Sequence, residues 1–151
     1  MKKTISSLMV LAALIFAVST QSFAQLPIPI PSPDFIVLTP YSRTQAVGFD
    51  LNVGSFKYFT VLTMGDMDYL SFKPLSVQPD TAKVLTAYYL VMDPTVNEVT
   101  GSGMGIINLE RSTEIRIPLR SYFSLVNIAV GIVSGDRGTR MYRCTGLFGL
   151  P

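Results

Sequence analysis

Two aspartates one residue apart, Asp66 and Asp68 in Gly-Asp-Met-Asp, and five arginines toward the C-terminal end, Arg116, Arg120, Arg137, Arg140 and Arg143, are the side chains here whose type and spacing suggest chemistry. Paired loop carboxylates can supply oxygen ligands to a hard cation such as calcium, or act as acid and base if held close and desolvated. The other ligands of a full calcium loop are missing around Asp66 and Asp68, so the spacing supports a weak metal site at most, and two solvated turn aspartates are the simpler expectation. The arginines would gather into a basic patch if the last two strands pair with the one that carries Arg116 and Arg120. Guanidinium forks bind phosphate and carboxylate bidentately, so such a patch would suit an acidic protein or an anionic ligand of a cell envelope.

What is absent narrows the chemistry further. The chain has no histidine, which removes Ser-His-Asp and Cys-His catalysis and most zinc sites together. It has no tryptophan either, which weakens a sugar-stacking surface, although tyrosines can substitute. Gly101 to Gly105 is glycine-rich but lacks the Lys-Ser/Thr of a phosphate loop and opens no helix, so it reads as a flexible connection. Cys144 is the single cysteine, so no intrachain disulfide can form, and a buried thiol in an apolar core is expected. No catalytic residue and no cofactor is assigned on these grounds, and the chain is expected not to be an enzyme.

The elements that would position these residues begin after a leader. Lys2 and Lys3 precede an uncharged apolar run, Leu8 to Val18, followed by Ser22-Phe23-Ala24, the three parts of a secretory signal peptide cleaved between Ala24 and Gln25. Residues 1–24 are therefore read as leader, 25–33 as a proline-rich arm and 34–151 as one domain. The apolar run is too short for a membrane span, which needs roughly 20 residues, so the mature chain is expected to be exported, to the periplasm or beyond the cell, without a transmembrane helix.

The whole chain carries 12 basic and 10 acidic residues, and two of the basic ones lie in the leader. A balanced mature charge argues against nucleic acid as a partner. The balance is uneven along the chain: residues 25–100 hold an excess of acids, and residues 101–151 an excess of arginines. If the halves occupied different surfaces, the dipole would favour head-to-tail self-assembly, a homo-oligomer being one outcome; if their strands interleave, the field averages out.

In the arm, Pro27, Pro29, Pro31 and Pro33 fix φ and remove every second donor, which predicts an extended polyproline-type segment carrying Leu26, Ile28 and Ile30. Its alternating isoleucines suit docking on a groove better than a plain spacer. Beyond Asp34 the pattern is short apolar runs separated by turn residues. Val47, Phe49, Leu51 and Val53 alternate with polar or small residues up to Gly54-Ser55, which predicts a hairpin into Lys57 to Thr63. Pro74 is expected to stop a strand begun at Tyr69, and Leu75 to Thr81 to form a loop. Ala82 to Met92 and Phe123 to Ser134 are apolar on both faces, the mark of central strands covered on both sides. Ser134 to Gly138 is expected to turn a hairpin into a last strand. About eight or nine short strands and no helix predict an all-β protein, an antiparallel β-sandwich of jelly-roll or immunoglobulin-like type. A small outer-membrane barrel is the alternative architecture, and a carboxylate-dependent or metal-dependent enzyme the alternative function.

Overall fold

A computed structural model describes residues 34–111, 113–134, 138 and 140–151; the leader and the proline-rich arm lie outside the described residues. Nine strands form two sheets. In chain order they are β1 (Asp34–Leu38), β2 (Thr44–Asn52), β3 (Phe56–Met64), β4 (Tyr69–Gln78), β5 (Val84–Asp93), β6 (Glu98–Asn108), β7 (Ile115–Pro118), β8 (Phe123–Ser134) and β9 (Met141–Gly149). One sheet has the order β1-β3-β8-β5-β6 and the other β2-β9-β4-β7. These are two open sheets packed face to face, a β-sandwich and not a closed barrel.

β8 lies at the centre of the five-stranded sheet, as its two apolar faces predict. Its Val126, Ile128 and Val130 point inward and are at most 1% exposed. Facing them from the other sheet are Phe72 and Phe148, which together with Phe49 and Phe59 make an aromatic cluster. Its ring centroids lie 4.8 Å apart for Phe72–Phe148 and 5.2 Å apart for both Phe59–Phe148 and Phe49–Phe59. Edge-to-face and tilted contacts at these separations add to the apolar area that the rings bury. Tyr142 is fully buried beside them, and its hydroxyl shares a 3.0 Å hydrogen bond with Thr81 Oγ1, so the one polar atom of that side chain is satisfied.

The connections differ from the expected hairpins. Every link except β5–β6 passes from one sheet to the other, so consecutive strands mostly face each other across the core. Gly54-Ser55, expected as a hairpin turn, is instead an arch: β2 pairs with β9 while β3 pairs with β8. What drives the arch is burial, since Phe49 and Leu51 on β2 must meet Phe59 and Val61 on β3 from opposite sides. Likewise β8 and β9 belong to different sheets, so no hairpin joins them; residues 135–137 of that connection lie outside the described residues. β1 pairs with β3 in parallel, the single parallel pair of the described strands.

Two segments read as loops are strand. β4 runs through Pro74 by a bulge between Pro74 and Ser76. A missing N–H is tolerable there, because β7 pairs only with Tyr69 to Phe72 and leaves that side of β4 free. Gly101 to Gly105 lies inside β6, paired to β5. Gly103 and Gly105 point toward the core, where the side chains of Tyr89 and Ile115 lie across them and occupy the space a Cβ would need. Glycine serves close packing here, which composition alone does not separate from flexibility.

Candidate functional site

The register places the outward side chains of each sheet in rows, and the two outer faces are chemically opposite. On the four-stranded sheet the outer face carries Asp50, Lys73, Arg116 and Arg143 among threonines and serines, with Ala46, Leu147 and Met141 between them. On the five-stranded sheet four rows cross from β3 through β8 and β5 toward β6: Phe56–Gly131–Thr86–Ile106, Tyr58–Ala129–Tyr88–Met104, Thr60–Asn127–Leu90–Ser102 and Leu62–Leu125–Met92. β1 adds Phe35 beside Thr60 and Val37 beside Leu62. None of these residues is charged. Several are large and open to solvent, among them Phe35 (56%), Tyr88 (46%), Met104 (55%) and Ile106 (65%). In general, a large contiguous apolar surface is a feature of interaction sites.

The patch is organised rather than a scatter of exposed residues. The Phe56 ring lies across Gly131, 2.8 Å from where a Cβ would sit, and meets the Tyr88 ring edge-on at 5.8 Å. Two of its polar members pair with each other in the plane of the face, Thr60 Oγ1 donating to Asn127 Oδ1 at 2.9 Å, and Thr60 is only 6% exposed. What remains open is ring and methyl surface. The expectation that β8 is covered on both sides therefore holds fully on one side: on the other, Phe56 lies across Gly131, Leu125 and Ala129 are half-buried, and Val133 is 61% exposed.

The arginines separate. Arg116 lies on β7, level with Ser71 and Gly149, whereas Arg143 on β9 faces Gln78 at the far end of β4. Six residues of strand, roughly 20 Å, divide them. Arg120 follows β7 beyond the Tyr69 end, and Arg140 precedes β9 beyond the Gln78 end; both are exposed. Arg137 lies outside the described residues. Arg116 Nε donates to Glu114 Oε1 at 2.8 Å and its guanidinium lies 4.7 Å from the Tyr69 ring centroid, and the Glu114 bond raises its pKa. Arg143 sits 3.7 Å from Asp50. Pairing between strands from both halves of the chain also disperses the charge asymmetry: Arg143–Asp50 and Lys83–Glu110 each join the acidic half to the basic half.

Asp66 and Asp68 are exposed in the β3–β4 turn, and the Asp68 carbonyl accepts a backbone bond from Leu119. Among the described residues no group of three or more histidines, cysteines or carboxylates comes together to hold a metal. Cys144 is buried, and desolvation, with Asp50 nearby, pushes its thiol up to about 11, far from the thiolate a nucleophile needs. A cavity of about 180 Å³ opens beside the β4 bulge between Leu75, Val77, Lys83 and Leu109, with the 3.1 Å Lys83–Glu110 ion pair at its rim. It is smaller than the roughly 300–1,000 Å³ of ligand pockets.

No family model matches the chain, and no curated protein matches it. Among solved structures, it superimposes on PliG of Aeromonas hydrophila, a periplasmic lysozyme inhibitor of g-type lysozyme, with a TM-score of 0.38 and 6% identity over 80% of this chain and 100% of that one. The pre-peptidase C-terminal domain of a Bacillus anthracis collagenase gives 0.40 and 9% over 81% and 99%. PirA gives 0.38 and 9% over 70% and 93%. Among the described residues, no helix is long and apolar enough to cross a membrane.

Proposed function

We propose that this protein is an exported, non-catalytic binding module whose working surface is the outer face of the five-stranded sheet. The uncharged character of that face across all five strands carries the reading, because leaving so much ring and methyl surface in water is costly unless something meets it, at about 25 cal/mol per Å². The leader supports export, and the lack of histidine in the chain, with no cluster of three or more metal-ligating or carboxylate side chains among the described residues, supports a role without catalysis. Arginine-based capture of an anionic ligand is the weaker reading, since Arg116 and Arg143 stand far apart and each already has a carboxylate partner.

A photoreactive phenylalanine analogue, placed singly at Tyr88, Met104 or Arg143 in the producing cell, tests this. Adducts with another polypeptide are expected from positions 88 and 104 and not from 143. Equal yields from all three, or adducts from 143 alone, would remove the face from its role.

A further inference from the structure

We infer that β6 is the edge on which a second copy of this chain docks, strand against strand, so that two five-stranded sheets join into one. This edge is the rim of the sheet, so its role is independent of what meets the face. Of the described strands, β1, β6, β2 and β7 are edges. Three of them carry what keeps an edge from pairing: β1 is five residues long and opens on Asp34, β2 bears Asp50, and β7 is four residues long with Arg116 and Pro118. β6 is 11 residues long and has neither charge nor proline from Val99 to Asn108. Its free side is identified at its end. The Asn108 N–H donates to Thr113 Oγ1 at 2.7 Å and the Asn108 carbonyl accepts from the Thr113 N–H at 3.4 Å, whereas the next residue, Leu109, donates to the Lys83 carbonyl beside β5. Backbone groups alternate in direction along a paired strand, so Ile106, Met104 and Ser102 also turn theirs away from β5. Among the described residues, nothing bonds the N–H and C=O groups of these three.

The open run is bounded at both ends, and the bounds set the register. Thr113 occupies the edge at Asn108, and a bulge at Thr100 breaks the ladder at the other end, where Gly101 pairs with Val91 and Val99 with Met92. Ser102 to Ile106 is left, with Met104 at its middle. An antiparallel copy that uses the whole run sets Met104 opposite Met104 and Ser102 opposite Ile106 about a two-fold axis, each pair exchanging both ladder bonds. Every free backbone group of the run is then satisfied. Gly103 falls opposite Gly105 between those pairs, so on the inner side no β-carbon stands where the two sandwiches approach. No charge opposes a like charge. On the outer side Met104 meets its counterpart across the axis, and the row Tyr58–Ala129–Tyr88–Met104 continues into the same row of the second copy. A strand of another protein would have to bring a match to this short bounded run, and a second copy already carries it.

Light scattering along a dilution series, on the chain expressed with its own leader, tests this. A mass approaching twice the monomer's is expected at the concentrated end, unchanged by salt because no ion pair takes part. Met104→Pro removes a donor that β5 does not use and should leave the domain folded but monomeric throughout. Should that variant fail to fold, Met104→Asp, which sets two carboxylates opposite each other, serves in its place. Cysteines then read the register. In a Cys144→Ala background, Met104→Cys alone should oxidise to a covalent dimer, since the paired Cα atoms would lie about 5.5 Å apart, within disulfide reach. Ser102→Cys should do so only when mixed with Ile106→Cys. A dimer that survives substitution of Met104, or one that Ser102→Cys alone captures, would overturn the inference by placing the interface or its register elsewhere. A monomer at every concentration would overturn it too, leaving the edge to a strand from another protein.

Discussion

Cys144 illustrates how far one residue's chemistry is decided by where the fold puts it. Its thiol is 1% exposed, directed toward the Tyr142 carbonyl, and raised to about 11 by burial and by Asp50. A raised pKa means that the folded state holds the proton more tightly than the unfolded one, whose thiol titrates near 8.5. The stabilisation is complete below that value and is lost as pH climbs toward about 11. Urea unfolding between these pH values should therefore show falling stability, and Cys144→Ala should flatten that slope. An unchanged slope would place the alkaline sensitivity elsewhere, on lysines or tyrosines. A buried thiol was legible from composition, since a lone cysteine in an apolar strand is usually a small core residue. The fate of the arginines was not: whether Arg116 and Arg143 meet depends on the register of β7 and β9 against β4, and register is a property of partners, not of either strand.

At the scale of elements, period-two alternation found most strands and failed on how they connect. A run such as Val47 to Val53 declares an inward face but not which sheet it joins, so Gly54-Ser55 reads equally as hairpin turn or arch. The choice falls to the aromatic cluster, because Phe49 and Phe59 must close on each other from opposite sides. Pro74 and Gly101 to Gly105 misled in one direction only: both look like breaks, and both sit in strands where a free edge or an overlying side chain makes the residue useful. Two substitutions follow from this. Phe148→Ala removes the ring that touches both Phe59 and Phe72, and by the usual cost of emptying such a site it should destabilise the domain by about 3–5 kcal/mol. Gly105→Val forces a branched side chain into the Ile115 side chain and should also lower the melting temperature, whereas Ser102→Val, on the outer side of the same strand, should not. Calorimetry of the three variants checks the ranking; a Gly105→Val chain as stable as wild type would return the segment to a loose connection.

For the whole molecule, the consequential feature is that its two outer faces differ. The four-stranded sheet shows water the mixture of charges and hydroxyls expected of a solvated surface, and the five-stranded sheet shows it rings and methyls. The sequence carried this in plain sight, since β8 and β5 are apolar on both faces and such strands need cover on both. What the sequence left open is the identity of the second cover, because one face of β8 is met by the opposite sheet and the other only in part, by the Phe56 ring over Gly131, with Val133 61% exposed. The account given above assigns that role to a partner polypeptide that meets the outer face of the five-stranded sheet when the module works. Fluorescence of an apolar dye, compared between the chain and its Met104→Lys, Ile106→Lys variant, tests this most directly, since both side chains are more than half exposed on that face. The account predicts strong dye binding to the unaltered chain and its loss in the variant. Equal dye fluorescence from the two proteins would contradict it.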